Sequence, residues 1–193
     1  ETLSVSLFAM IAYSTRDGWS LEAGIKYLIL SAVASAFILF GSALVYADVG
    51  SLVFSDMLQV ADATGWSLLV TIGFSMLMIG FSFKLSLVPF HMWTSDVYQG
   101  APAPVTAFVA TVSKGAVLAL LVRYFVNADV FHNYPVQVIL SLLAGASIIA
   151  GNLLALKQTD FKRLLAYSSI AHMGYLLIPF LASVSLGKEV VIE

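Results

Sequence analysis

Residues 83–115, FKLSLVPFHMWTSDVYQGAPAPVTAFVATVSKG, carry two lysines inside stretches that otherwise read as membrane. Lys84 lies near the end of an apolar run that begins at Trp66, and Lys114 near the middle of another that runs from Pro104 to Val122. A lysine stem reaches about 6 Å, so it snorkels to water from the end of a span but not from the centre of a hydrocarbon layer roughly 30 Å thick. Ionisable side chains inside spans are expensive and by default mark an ion or proton path. The plain alternatives are an interfacial anchor for Lys114 and a snorkelling side chain for Lys84. Pro89 cannot donate to the carbonyl of Leu85 and pushes Val88 away from helical geometry, so the helix is expected to break just after Lys84. Residues 89–99 then resume as a short half-helix before the uncharged connection Gly100-Ala101-Pro102-Ala103-Pro104. Broken helices at membrane depth occur where they line a cavity or are buried in protein, and in transporters they often form the ion site.

Around this stretch, the 193 residues are 60% hydrophobic and 10% charged, against a soluble average of roughly 45–50% apolar and 25% charged. The chain therefore reads as an all-α, polytopic membrane protein in a single transmembrane domain, 1–193. Its approximate spans are 1–13 (partial), 25–46, 66–99 (broken near 85–89), 104–125, 136–156 and 164–184. Small residues such as Ser31, Ala34, Ser35 and Gly41 on the second span allow close helix approach in lipid. Residues 47–65, with Asp48, Asp56 and Asp62, read as a loop, and Trp66 as an interfacial anchor. Residue 1 is a Glu leading into an apolar run without a basic region, so the chain reads as a fragment beginning inside a helix and ending before a further one. With 14–24 on the cytoplasmic side, alternation puts Arg16, Lys26, Lys157, Lys162 and Arg163 inside and only Arg123 and Lys188 outside. That asymmetry suits a bacterial inner membrane, and an organellar membrane descended from one would obey it too.

Several chemistries are set aside. A net charge of −2 with scattered basic residues offers no stripe for nucleic acid. There is no cysteine for a thiolate site, and the three histidines are far apart without a carboxylate cluster, so no metal site is expected. Gly100, Gly115, Gly145 and Gly151 form no phosphate-binding loop, so no nucleotide or other cofactor site is visible. Two histidines stay open between roles: His91 between steadying the break and proton transfer, and His172, beside Ser168 and Ser169, between relay and helix glue. His132 reads as a loop residue, and Asp96, Tyr98 and Gln99 as capping or packing residues. From spacing alone Glu1 is a solvated terminal residue.

The strings Phe83-Lys84-Leu85-Ser86-Leu87-Val88-Pro89-Phe90-His91-Met92-Trp93, Asp96-Val97-Tyr98-Gln99-Gly100-Ala101-Pro102-Ala103-Pro104-Val105 and Lys162-Arg163-Leu164-Leu165-Ala166-Tyr167-Ser168-Ser169-Ile170-Ala171-His172-Met173-Gly174-Tyr175 together resemble the antiporter-like membrane subunits of respiratory complex I. The tyrosine-to-proline continuation after the break is most similar to the N type. The resemblance extends over essentially the whole chain. Ser95 departs from the family, which often has proline before the aspartate.

That resemblance implies a fold and a set of roles. The fold is a piece of two inverted five-helix repeats, each with one broken helix, and a line of charged residues runs along the membrane mid-plane. Glu1 takes the place of the glutamate on helix five, Lys84 that of the lysine on broken helix seven, and Lys114 that of the lysine on helix eight, with His172 on helix ten. Pro89, His91, Pro102 and Pro104 belong to the broken helix. The function implied is proton translocation coupled to quinone reduction. By the same resemblance, NADH, FMN, iron–sulfur clusters and quinone are bound by other subunits of the complex. A Glu1–Lys84 pair would favour the charged lysine where burial disfavours it, and Lys84 would exchange protons with Lys114 through waters and the break. The competing readings are a related cation/proton antiporter or membrane-bound hydrogenase subunit, and a structural spacer of the membrane arm.

Overall fold

A computed structural model of the chain describes residues 2–14, 18–53, 56, 67–128 and 134–186. The described residues form helices and connections, without a strand among them. In chain order the helices are α1 (Thr2–Ile11), α2 (Gly18–Val49), α3 (Leu68–Leu85), α4 (Met92–Gly100), α5 (Ala103–Phe108), a π-helical turn (Val109–Ser113), α6 (Lys114–Ala128), α7 (Tyr134–Leu156) and α8 (Phe161–Leu186). Gly18–Val49, Leu68–Leu85, Ala103–Arg123 and Gln137–Leu156 are long and apolar enough to cross a membrane.

Three boundaries differ from the sequence expectation. α2 begins at Gly18 and runs to Val49, so Glu22 and Asp48 lie on a helix and not in flanking loops. The Asp48 carboxylate accepts a 2.6 Å hydrogen bond from Ser67, whose hydroxyl also accepts from the Val70 N–H and caps α3. α8 begins at Phe161, where Asp160 accepts from the N–H groups of Lys162 and Arg163. Hydropathy misses these ends because local hydrogen bonding carries a helix past the apolar core of its span. Trp66, Asp62 and His132 lie outside the described residues.

α2 and α3 pack backbone to backbone. A Cβ on Gly41 would stand 2.6 Å from the Gly73 carbonyl oxygen, and one on Gly73 would stand 2.8 Å from the Gly41 carbonyl oxygen. Small residues permit this approach, which in lipid replaces the hydrophobic drive available in water. α7 and α8 form the other closely packed pair. One apolar core gathers Phe74, Leu77, Phe81 and Leu85 of α3 with Leu121, Leu140 and Leu177 of α6, α7 and α8. A second gathers Leu7, Tyr27, Trp93, Val97, Tyr98 and Val109 from α1, α2, α4 and the π turn. The break between α3 and α4 is where the chain passes from one core to the other.

Candidate functional site: two buried lysines around a broken helix

The break is built from backbone outward. α3 ends with Ser86 in the left-handed region, φ 62°. The Ser86 N–H donates to the Phe83 carbonyl at 3.0 Å and the Leu87 N–H to the Ser82 carbonyl at 2.9 Å, the pattern that closes a helix C-terminus. Pro89, which follows a cis peptide from Val88, has no N–H to offer. The Val88 N–H is satisfied from outside by Ser147 of α7, at 2.9 Å. Trp93 reaches back across the gap, stacks on Phe83 with ring centroids 6.2 Å apart, and donates its indole N–H to the Phe83 carbonyl at 3.2 Å. His91 precedes α4 without a side-chain cap bond, whereas Ser147 bonds into the break and Trp93 across it. Pro102 and Pro104 start α5, and the Thr106 hydroxyl lies within 3.2 Å of the Pro102 carbonyl.

Lys84, on the last turn of α3, points toward α1 and α2. Its ammonium donates to Ser31 at 2.7 Å and to Ser4 at 3.2 Å, and Ser31 in turn donates to Ser4 at 3.1 Å. Both serines are buried, Ser4 at 8% exposure and Ser31 at 4%. A cavity of about 10 Å³, on the order of what one water needs, is lined by Tyr27, Ser31, Phe83, Lys84, Trp93 and Ser113. Ser113, the residue before Lys114, reaches this cavity, while Lys114 itself does not line it.

Lys114 follows the π turn and is 1% exposed. Its ammonium donates to Ser169 of α8 at 2.8 Å and sits 5.7 Å from the centroid of the Tyr98 ring, within cation–π range. The Tyr98 hydroxyl lies 3.2 Å from the same Ser169 oxygen. Ser169 also lines a larger cavity, about 540 Å³, formed by Tyr98, Thr106, Ala110, Ser168, His172 and neighbouring side chains of α5 and α8. His172 itself is exposed, and its ring lies 6.4 Å from that of Tyr175.

The sequence therefore points to the lysines but not to the hydroxyls that meet them. Ser31 reads only as a small packing residue, and nothing in its context marks Ser4. The signal available is a serine in each span facing a lysine, which becomes readable only with the helix pairing known. Asp96, expected to cap or pack, accepts from Lys26 of α2 at 2.7 Å and is ion-paired with Arg163 of α8. Lys162 completes this clamp by donating to the Ala101 carbonyl at 2.9 Å and the Gln99 carbonyl at 3.3 Å, at the end of α4. Glu1 lies outside the described residues. Among the described residues no group of three or more His, Asp or Glu side chains converges as a metal site.

The arrangement places two amines among apolar helices, each hydrogen-bonded to serine, with a small cavity beside Lys84 and the unwound backbone. The family profile described as NADH:quinone oxidoreductase/Mrp antiporter, transmembrane, matches residues 1–192. The chain is 54% identical over 193 residues to NADH-quinone oxidoreductase subunit N of Methylococcus capsulatus, covering 100% of this chain and 39% of that protein. It is likewise 54% identical over 191 residues to subunit N of Ectopseudomonas mendocina, covering 99% of this chain and 38% of that one. The chain thus spans less than half the length of these relatives. Respiratory complex I from Thermus thermophilus with bound aureothin contains a chain similar to it, with a TM-score of 0.76, 42% identity, and coverage of 94% of this chain and 38% of that one. A chain of the Mrp complex from Dietzia, at 20% identity and a TM-score of 0.79, covers 91% of this chain and 33% of that one and shares the fold alone.

Proposed function

Because the chain belongs to the NADH:quinone oxidoreductase/Mrp antiporter transmembrane family, we propose that it is a proton-translocating part of the membrane arm of NADH:quinone oxidoreductase, working beside other membrane-arm subunits. Proton transfer runs through Lys84 and Lys114 and is driven by quinone reduction elsewhere in the complex. The observation that carries this reading is Lys114: an amine at 1% exposure in a membrane-spanning helix, held by a serine hydroxyl. A spacer would be more stable without it, since a buried charge costs several kcal/mol unless fully compensated.

In this reading Lys84 takes up a proton within the Ser4–Ser31 hydroxyl pair, and Glu1 is its carboxylate partner. The proton passes across the small cavity beside the break toward Lys114. Charge on both lysines at once is repulsive, so withdrawal of the carboxylate from Lys84 drives the proton onward. NADH, FMN, iron–sulfur clusters and quinone belong to other subunits, and His172 continues the path beyond Lys114.

The test is proton pumping measured alongside NADH:quinone activity in membranes carrying Lys114→Ala in the full-length chain, with assembly followed on a native gel. Assembled complex with both activities lowered supports the reading. Assembled complex with both intact makes the buried lysine structural and removes the central claim.

A second reading rests on similarity to a chain of the membrane-bound sulfane sulfur reductase, an archaeal respiratory membrane complex, at 29% identity and a TM-score of 0.79, covering 94% of this chain and 36% of that one. The same lysines would then serve a related cation/proton antiporter or hydrogenase-type complex. Sodium-dependent transport in the absence of NADH distinguishes it.

A further inference from the structure

Lys114 has one hydrogen-bonding side chain around it among the described residues, and that side chain also reaches open space. Ser169 accepts from the Lys114 ammonium at 2.8 Å, lies 3.2 Å from the Tyr98 hydroxyl, and forms part of the wall of the roughly 540 Å³ cavity that His172 and Ser168 also line. Lys114 itself is absent from that wall. Ser168, Ser169 and His172 share the face of α8 that turns to this cavity, as positions three and four apart on a helix do. The face of the Tyr98 ring flanks the ammonium beside Ser169, where it attracts a cation but takes no proton.

We propose that Ser169 is the relay through which Lys114 exchanges its proton with the cavity at His172, and that Tyr98 positions it. The relay rests on the proton-path reading above and is the next group in that path. A hydroxyl both accepts and donates, which an amide carbonyl or an apolar wall does not. In the step, an Nζ–H bond of the Lys114 ammonium breaks as a new bond forms to the Ser169 oxygen. The original Ser169 hydrogen leaves to a water in the cavity or to the His172 imidazole. Lys114 is left as the neutral amine, Ser169 is unchanged, and the acceptor carries the positive charge. The hydrogen received from Lys114 points back at the neutral amine, so the hydroxyl must turn it toward the cavity and present a lone pair to Lys114 before the next proton can follow. The Tyr98 hydroxyl, 3.2 Å from the Ser169 oxygen, holds that oxygen within reach of the ammonium, and the Tyr98 ring face holds the ammonium beside the serine.

The experiment uses the full-length chain in the assembled complex, reconstituted into vesicles, with a pH-sensitive dye for pumping and quinone reduction for turnover. Ser169→Ala is expected to lower pumping about tenfold, the scale of one charge-assisted hydrogen bond, while the native gel is unchanged. Ser169→Thr, which keeps the hydroxyl, is expected to recover most of it. Ser169→Cys, similar in volume with a weak donor, replaces the alanine variant if that one does not assemble and is expected to fall with it. Full pumping in the hydroxyl-free variant, or equal loss in Ser169→Thr, overturns the relay while Lys114→Ala still fails. Full pumping in Lys114→Ala overturns the path and the relay together.

Discussion

At the scale of single residues, Lys114 and Ser86 both hold unfavourable local states and differ in how far the surrounding structure compensates them. Lys114 keeps one hydrogen bond and one aromatic face in place of bulk water. Ser86 holds a left-handed conformation that disfavours any side chain, and its buried hydroxyl has no hydrogen-bond partner among the described residues. Ser86→Gly removes both the steric penalty and the unpaired hydroxyl, against the greater chain entropy of glycine. The expected result is a gain of about 0.5–1 kcal/mol, read as more assembled complex surviving heat treatment in detergent. Ser86→Val, β-branched in the same conformation, is expected to reduce it.

At the scale of elements, the short helix α4 depends on its neighbours. A helix of 9 residues is well below the length that is stable on its own in water, and its flanks are an unwound segment and a proline-rich connection. Asp96 ties it to α2 through Lys26 and to α8 through Arg163, and Lys162 meets the carbonyls at its end. Since Asp96 is 29% exposed at its side chain, each ion pair is worth about 1 kcal/mol or less, with more lost when a partly buried arginine is stranded. Asp96→Asn is therefore expected to lower the amount of assembled complex and its pumping more than Lys26→Ala does, because only the first change removes both pairs. Parallel native gels and pumping assays check the order; equal effects would mean that the Arg163 pair contributes little to holding α4.

At the scale of the whole molecule, the position of Lys84 is set by how closely α2 and α3 approach. α3 carries Lys84 to Ser31 of α2 because Gly41 and Gly73 let the two backbones meet. Gly73→Leu places a side chain where a Cβ alone lies 2.8 Å from the Gly41 carbonyl oxygen and 2.9 Å from Val45, so α2 and α3 must separate. The expected outcome is loss of assembled complex on a native gel. Gly145→Ala, whose Cβ meets nothing within 4 Å, is expected to assemble normally and to gain roughly 0.5–1 kcal/mol in helix propensity.

Much of this is legible in the chain, for a physical reason. Long apolar runs must form helices in lipid because their backbone has no other partner, a proline must interrupt the hydrogen-bond ladder, and a lysine amid apolar neighbours stands out in composition alone. These are properties of contiguous residues. The partners of the lysines are not. Ser4 lies 80 residues from Lys84, Ser31 lies 53 from it, and Ser169 lies 55 from Lys114. Serine is common in membrane helices as a packing residue, so its sequence context does not separate one that spaces two helices from one that receives a proton. Only the packing of α1, α2 and α8 against α3, α4 and α6 decided which hydroxyls meet the amines, and only the clamp between Lys26, Asp96 and Arg163 showed what holds α4 in place.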